Sequence, residues 1–308
     1  MKKNIYNIKY LVCFVFGLSM VNSFAQQAPQ YTQYMYNTEV INSGYTGSAG
    51  KLAASLLYRS QWAGIEGAPE TQSFAVHGLV KDRIGLGLTA INDNLGASNT
   101  IQINGNFAYH LPTGENTKLA LGINAGLDIL NIDWSKGNIS NNLDPVFQQN
   151  LNEVRPIVGA GVYYYSSKWY LGVSSNNLLN SKLYNDDSAT VVDRKSQYYF
   201  MGGYVFDLSS TVKFKPAVLT KHVSGSPLTV DVSGNFLLQE KVALGVAYRY
   251  DDAISGLAGI YLSDKFFLGY AYDYSVTGLQ NYNDGSHEII LTYNLDGLKK
   301  RALSPRFF

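Results

Sequence analysis

The chain has few groups that could do chemistry, and their spacing excludes most reactions. His77, His110, His222 and His287 are its four histidines. No two stand at i, i+2 or i+4, so zinc-ligand spacing is missing. The stretch Gly47–Gly50 (GSAG) has no strand-then-helix pattern around it and is not a nucleophile elbow. The Gly-Leu-Gly at 85–87 opens no helix, which argues against a phosphate loop. Carboxylates and amides gather at Ile91–Asn94, Tyr184–Ser188 and Tyr282–Ser286, groups suited to calcium. None fits the twelve-residue calcium loop, and solvated Asn/Asp/Gly turns are the ordinary reading. Asp128, Asp231, Arg249, Asp273 and Glu288 remain, each inside an otherwise apolar or small-residue stretch. They point to a buried polar network or a binding surface. No catalytic residue, metal or cofactor is implied.

Those five charges need elements to carry them, and the elements follow from alternation. Val242, Leu244, Val246, Tyr248 and Tyr250 alternate with Ala243, Gly245, Ala247 and Arg249. Phe266, Leu268, Tyr270, Tyr272 and Tyr274 alternate with Phe267, Gly269, Ala271 and Asp273. Leu119, Leu121, Ile123 and Leu127 oppose Ala120, Gly122, Asn124 and Asp128. Successive side chains of a strand point to opposite faces. One face is therefore bulky and apolar, the other small or polar. A soluble sandwich would turn the apolar face inward and charge the outer one. Here the second face is Gly, Ala and Asn, which suits a barrel lumen with the apolar face in lipid.

About fourteen such runs occur, near 51–62, 69–80, 83–92, 99–111, 118–131, 153–165, 168–176, 196–207, 212–222, 227–238, 241–250, 254–262, 265–274 and 286–295. Most match the ~9–11 residues a tilted strand needs to cross a bilayer, and an even number closes a barrel. The expected fold is all-β, an outer-membrane barrel of about fourteen antiparallel strands with an N-terminal non-strand segment. The connections alternate short and long. The long set includes Ile132–Asn152 and Asn177–Lys195, as expected of outer loops opposite short periplasmic turns. A phrase Lys/Arg-x-x-Leu-Gly restarts at Arg83, Lys118, Lys168, Lys241 and Lys265, each just after a short turn. The basic residue marks the water edge, and the glycine faces inward where lumen contents approach closely. Trp169, Tyr170, Phe266 and Tyr163–Tyr165 are expected in an aromatic girdle at the inner rim, with Tyr248, Tyr250, Tyr272 and Tyr274 at the outer one.

The first 25 residues read as a signal peptide. Lys2, Lys3 and Lys9 precede or open an apolar run from Tyr10 to Met20, and Ser23-Phe24-Ala25 offers small residues for cleavage after Ala25. The one cysteine, Cys13, lies there, so no disulfide is expected. Charged residues are 15% of the chain, below the roughly 25% usual in soluble domains. The net charge of +1 gives no basic balance for nucleic acid. The expected organisation is a signal peptide over 1–25, a periplasmic or plug segment over 26–50, a barrel over 51–295 and a basic tail over 296–308.

Residues after the signal resemble a known family. The points of likeness are Gln30-Tyr31, Gln33-Tyr34-Met35-Tyr36-Asn37, Asn42, Tyr45-x-Gly47-Ser48, Tyr58-Arg59-x-Gln61-Trp62 and Gly67-Ala68-Pro69-x-Thr71-Gln72. The final run Ser286–Leu295 adds to them. Together they resemble the PorP/SprF family of type IX secretion-associated outer-membrane proteins of Bacteroidetes. The chain departs from the family at Asn37-Thr38 and at Asn42-Ser43-Gly44, where family members usually carry Asn-Pro and Asn-Pro-Ala. The resemblance implies a non-enzymatic outer-membrane protein that assists export or surface anchoring of a secreted, adhesin-like protein, in gliding motility or secretion. The implied partners are outer-membrane lipid, a secreted protein with a C-terminal sorting domain, and type IX components on the periplasmic side. Two other readings stay open: a transport barrel for a small or apolar solute, and a barrel hydrolase using a Ser or Asp beside His222 or His287.

Overall fold

Each of the fourteen alternating stretches forms a wall strand in the computed structural model, which describes residues 29–137, 150–184 and 190–296. The strands are β1 (Ala53–Ser60), β2 (Glu70–Lys81), β3 (Ile84–Leu95), β4 (Ser98–Gly114), β5 (Thr117–Ile132), β6 (Leu151–Ser166) and β7 (Trp169–Ser175). A hairpin follows, β8 (Ser181–Tyr184) and β9 (Thr190–Arg194). Then come β10 (Gln197–Tyr204), β11 (Phe206–Asp207), β12 (Val212–Val223), β13 (Thr229–Leu238), β14 (Val242–Arg249), β15 (Ala253–Tyr261), β16 (Phe266–Ser275) and β17 (Ser286–Asn294). Each wall strand pairs antiparallel with its neighbour in sequence. The ring closes where β1 pairs with β17 and β10 bridges the hairpin insertion to pair with β7 and β12. Leaving out the β8–β9 hairpin and the two-residue β11, this is a closed barrel of fourteen strands. Closure pairs the edges, the condition for strands to cross hydrocarbon. No helix among the described residues is long and apolar enough to cross a membrane.

The two faces separate as the alternation predicts. Val246 is 66% exposed and Ala247 beside it 7%; Ile123 is 60% exposed and Asn124 4%. Apolar side chains exposed on strand after strand would be an aggregation surface in water, and they fit lipid instead. The wall is uneven in height. β4, β5 and β6 have 17, 16 and 16 residues, whereas β7 has 7 and β1 and β14 have 8.

The girdle expectation needs correction on one side. Tyr164 and Trp169 do face outward, packed edge to face, and Phe266 packs on Tyr293. Tyr163, Tyr165 and Tyr170 are buried inside. Period two sends alternate members of a tyrosine run to opposite faces, so a single girdle could not hold all three of Tyr163–Tyr165. The stretch Asn177–Lys195, expected as loop, contains the β8–β9 hairpin, whose sheet is separate from the wall.

Residues 31–50 form no strand. They make turns, one helical turn α1 (Thr38–Ile41) and a 3-10 turn at Ser43–Tyr45. The helix stops after one turn because Asn42 takes an extended conformation and its Oδ1 accepts from Gly44 N–H. All of these residues are buried except the partly buried Tyr36. Their partners lie on β2, β4, β6, β7, β13, β16 and β17, all around the ring. A segment reaching inward-facing side chains on so many strands lies inside the barrel. It contributes Tyr31, Tyr34, Met35, Val40, Ile41 and Tyr45 to the core, against Tyr163, Tyr165, Tyr170, Tyr199, Met201 and Phe267 of the wall. The expected signal peptide, and all of the expected tail beyond Asp296, lie outside the described residues.

Candidate functional site

The five charges singled out by alternation all point inward, and four of them meet. Arg249 on β14 places Nε 2.8 Å from Asp231 Oδ1 on β13. Its Nη1 lies 3.2 Å from Asp252 and 3.9 Å from Asp273 on β16. Arg59 on β1 completes the cluster, with Nη2 2.7 Å from Asp273 Oδ2 and Nη1 3.2 Å from Glu288 Oε2 on β17. Arg59, Arg249, Asp231, Asp273 and Glu288 are all buried. Buried charges persist only where paired and hydrogen-bonded.

The cluster is completed by the inner segment. Three buried carboxylates offer more acceptor sites than two guanidiniums fill. Thr32 N–H donates to Glu288 Oε2 at 2.9 Å and Gln33 N–H to Glu288 Oε1 at 2.7 Å. The Thr32 hydroxyl donates to Asp273 Oδ2 at 2.7 Å and accepts from Arg59 Nη1 at 3.0 Å. Gln33 Nε2 also donates to the Glu288 carbonyl. The wall and the segment thus form one network at the long-loop end of β1, β16 and β17.

Asp128 stands apart from this cluster. Its Oδ2 lies 3.0 Å from Arg155 Nη2 on β6 and 2.7 Å from Arg194 Nη1 at the end of β9. That shared carboxylate ties the outer hairpin to the wall.

Below the cluster, the segment rests on wall side chains that grip its main chain. Ser174 Oγ donates to the Ile41 carbonyl at 2.8 Å, and Asn176 Nδ2 to that of Val40. His110 Nε2 donates to the Thr46 carbonyl at 2.8 Å; its Nδ1 then accepts from Tyr165 Oη at 2.9 Å, which fixes the tautomer. His77 Nδ1 accepts from Gly47 N–H at 2.9 Å. Glu39 Oε1 accepts from Thr46 Oγ1 at 2.6 Å and Asn106 Nδ2 at 2.9 Å, while Oε2 lies 3.7 Å from His77 Nδ1. Burial pushes the Glu39 carboxyl up to about 8. A cleft at the short-turn rim runs between the segment and the wall, lined by Met35, Glu39, Ser55, His77, Tyr261 and Asn294.

The repeated Lys/Arg-x-x-Leu-Gly phrase now has a physical reason. Its glycines are Gly87, Gly122, Gly172, Gly245 and Gly269. A Cβ on Gly122 would lie 2.3 Å from the Gly44 nitrogen, and one on Gly269 2.4 Å from Gln33 Oε1. On Gly87 and Gly172 it would meet Glu39 Oε1 and Asn42 Nδ2, each at 2.7 Å. Only Gly245 instead faces a wall side chain, Asn235. Four of the five glycines make room for the segment. On the segment's side, Gly47 combines φ +82° with a Cβ position 2.8 Å from Gly85 Cα, so both conformation and space require glycine.

The motif residues divide among three places. Gln33, Tyr34, Tyr45 and Gly47 belong to the inner segment; Tyr34 is buried near Ser233, and Tyr45 packs edge to face on Tyr163. Arg59 belongs to the charge cluster, while Tyr58 and Gln72 face outward. Gln61, Trp62, Gly67, Ala68 and Pro69 shape the β1–β2 connection, with Gln61 N–H donating to the Pro69 carbonyl and Gly96 N–H to that of Gly67. Thr71 donates to Asp93 at 2.6 Å. The histidines also divide. His77 and His110 are buried lumen residues, whereas His222 is exposed and His287 lies outward, accepting from or donating to Tyr270 Oη at 2.7 Å. Alternation did not single out Thr32, Glu39 or the inward Lys215. For Lys215 the signal was present in its place among Ala217, Leu219 and Lys221 on one face of β12.

A closed fourteen-strand wall, lipid-facing outside and filled within by its own N-terminal segment, defines an outer-membrane β-barrel. The chain matches the family model for type IX secretion system membrane protein PorP/SprF over residues 23–293. It belongs to that family. No curated protein matches it. Among solved structures it is similar to the outer membrane protein Omp33 of Acinetobacter baumannii (9% identity, 81% of this chain and 100% of that one, TM-score 0.46). It is also similar to the toluene transporter TbuX of Ralstonia pickettii (9%, 84% and 92%, 0.48) and to the CymD monoaromatic hydrocarbon channel (11%, 85% and 91%, 0.47).

Proposed function

We propose that this barrel is a non-enzymatic component of type IX secretion that assists export or surface anchoring of a secreted, adhesin-like protein. The observation that carries the reading is the filled lumen. Residues 31–50 are buried inside and bound to the charge cluster, which favours a docking platform over a conduit for solutes. The same observation counts against the transport reading. The barrel would face its secreted partner with the long-loop rim, where the segments following β5 and β7 emerge and Arg194 secures the hairpin. The short-turn rim would face the periplasmic components. Export would follow removal of residues 1–25. A role in gliding motility belongs to this proposal as one use of the anchored protein.

The test is affinity capture of the tagged protein from detergent-solubilised outer membrane. Co-recovery of a large secreted protein carrying a C-terminal sorting domain is the expected result. Its absence across several growth conditions, with the barrel intact, would reject the anchoring role. Solute-dependent conductance of the purified protein in planar bilayers would restore the transport reading.

A further inference from the structure

The wall holds the inner segment by its main chain as well as by side chains such as those of Thr32, Asn37 and Asn42. Glu288 accepts from two consecutive N–H groups, of Thr32 and Gln33. Asn176, Ser174, His110 and Asn294 donate to the carbonyls of Val40, Ile41, Thr46 and Ala49, and His77 accepts from Gly47 N–H. Seven main-chain atoms are thus read by six wall side chains. Main-chain contacts are available to any peptide, so they set affinity without fixing sequence, as in strand-addition recognition. What the wall does specify is a few polar side chains and size: Thr32 meets Asp273 and Arg59, Asn37 meets Ser73 and Ser55, and Asn42 donates to the Val162 carbonyl. The Gly44 and Gly47 positions admit only a hydrogen in place of a side chain, since a Cβ would meet Tyr163 N at 2.9 Å and Gly85 Cα at 2.8 Å. Wall glycines 122 and 85 match them from the other side. Around Tyr34 and Tyr45 the wall provides aromatic-sized space beside Tyr163 and Ser233.

From this geometry we propose that the lumen is a peptide-binding site whose resident, residues 31–50, can be replaced by a segment of another polypeptide. The guest carries two small residues three apart, a tyrosine-sized side chain directly after the first and another ten residues before it, as at Gly44, Gly47, Tyr45 and Tyr34, with a hydroxyl and an amide in the places of Thr32 and Asn37. Its two consecutive N–H groups engage Glu288, so that the Arg59–Asp273–Glu288 network is completed by guest rather than resident. The segment is suited to exchange because it joins the wall only at the short-turn rim, through exposed Lys51 and Leu52. At the long-loop end it is held by Thr32 and Gln33 without covalent connection to the wall. The identity of the natural guest as part of a secreted protein rests on the anchoring reading above; the peptide site itself does not.

The experiment uses the full chain with a specific protease sequence inserted between Lys51 and Leu52, folded and then cut. A fluorescent synthetic peptide of residues 29–50 is added in excess, and its uptake is followed by anisotropy with release of the resident segment. Uptake is expected. A peptide N-methylated at Thr32 and Gln33 should bind at least about 100-fold more weakly, because two charge-assisted bonds to a buried carboxylate are lost. A Tyr34→Phe peptide should lose less than about tenfold, since its 3.4 Å contact to Ser233 is weak. No uptake at any temperature below unfolding overturns the proposal, and so does equal uptake of the N-methylated peptide. Failure to capture a secreted protein from membranes, with exchange intact, would instead reject only the anchoring reading.

Discussion

Arg59 and Asp273 approach to 2.7 Å inside the barrel although their strands, β1 and β16, are not neighbours. The guanidinium reaches across β17, and on the way its Nη1 meets Glu288. One arginine therefore spans the seam that joins the last strands to the first. Removing it leaves two buried carboxylates short of a counter-charge. Arg59→Ala should destabilise the protein by about 3–5 kcal/mol, the usual cost of breaking a buried pair from one side. Arg59→Lys keeps the charge but lacks a fork to hold both acids, so its loss should be intermediate. Thermal unfolding in detergent measures both. Chymotrypsin sensitivity at Tyr31, Tyr34, Tyr36 and Tyr45 should rise in the same order. Unchanged stability of Arg59→Ala would refute the role given to this cluster.

The glycine seats make a sharper separation of wall from contents. A side chain at Gly122 would collide with the backbone of Ser43 and Gly44, where nothing flexible can yield. Gly122→Val should displace the inner segment at a cost of about 3 kcal/mol or more, while the wall still forms. Gly256 faces outward with nothing near its Cβ position, and Gly256→Ala should be neutral. Single-channel recording should show larger conductance for Gly122→Val than for the parent, and parent-like behaviour for Gly256→Ala.

Much of this was legible from period two alone. It yields the wall strands and the inward direction of Asp128, Asp231, Arg249, Asp273 and Glu288, because a residue's face depends only on its place in its own strand. What it cannot supply is which inward groups meet. Arg59 and Asp273 are 214 residues apart and come together only because the ring closes. Thr32 and Glu39 sit in a segment with no period, so nothing local marked them. Tyr163 and Tyr165 were misplaced for a different reason. Period two already separates them from Tyr164, but which of the two faces is the interface is settled only where the lumen segment supplies Tyr45 as a packing partner of Tyr163. β8 and β9 have only four and five residues, and the sequence between them, which includes Asn185-Asp186-Asp187-Ser188, has a composition that reads as loop.

The inner segment should respond to pH through Glu39. Its carboxyl titrates near 4.5 when released and at about 8 when seated, because burial disfavours the charged form. Seating is thus strongest below pH 4.5, weakens as pH rises from 4.5 to 8, and levels off above 8. Within that window each pH unit should shift the seating equilibrium by about tenfold. His77 Nδ1 lies 3.7 Å from Glu39 Oε2, and Thr46 and Asn106 supply neutral donors to Oε1. Glu39→Gln keeps an oxygen for both donors and removes the proton uptake. Chymotrypsin sensitivity of the segment should therefore climb between pH 5 and 8 in the parent and stay flat in Glu39→Gln.

Asp128 tests the hairpin in a way that separates charge from contact. Its carboxylate serves Arg155 and Arg194 together and is almost fully buried. Asp128→Asn leaves two guanidiniums side by side with a neutral partner, which should cost about 3–5 kcal/mol. Arg194→Ala leaves the Asp128–Arg155 pair in place, and its cost should be nearer 1 kcal/mol. Both variants, however, free the end of β9 from the wall. Trypsin cleavage after Lys195 should accelerate in each, although their unfolding temperatures differ. If Arg194→Ala lowers stability as much as Asp128→Asn does, the hairpin is part of the barrel's structural core. If cleavage is unchanged in both, Asp128 does not hold the hairpin down.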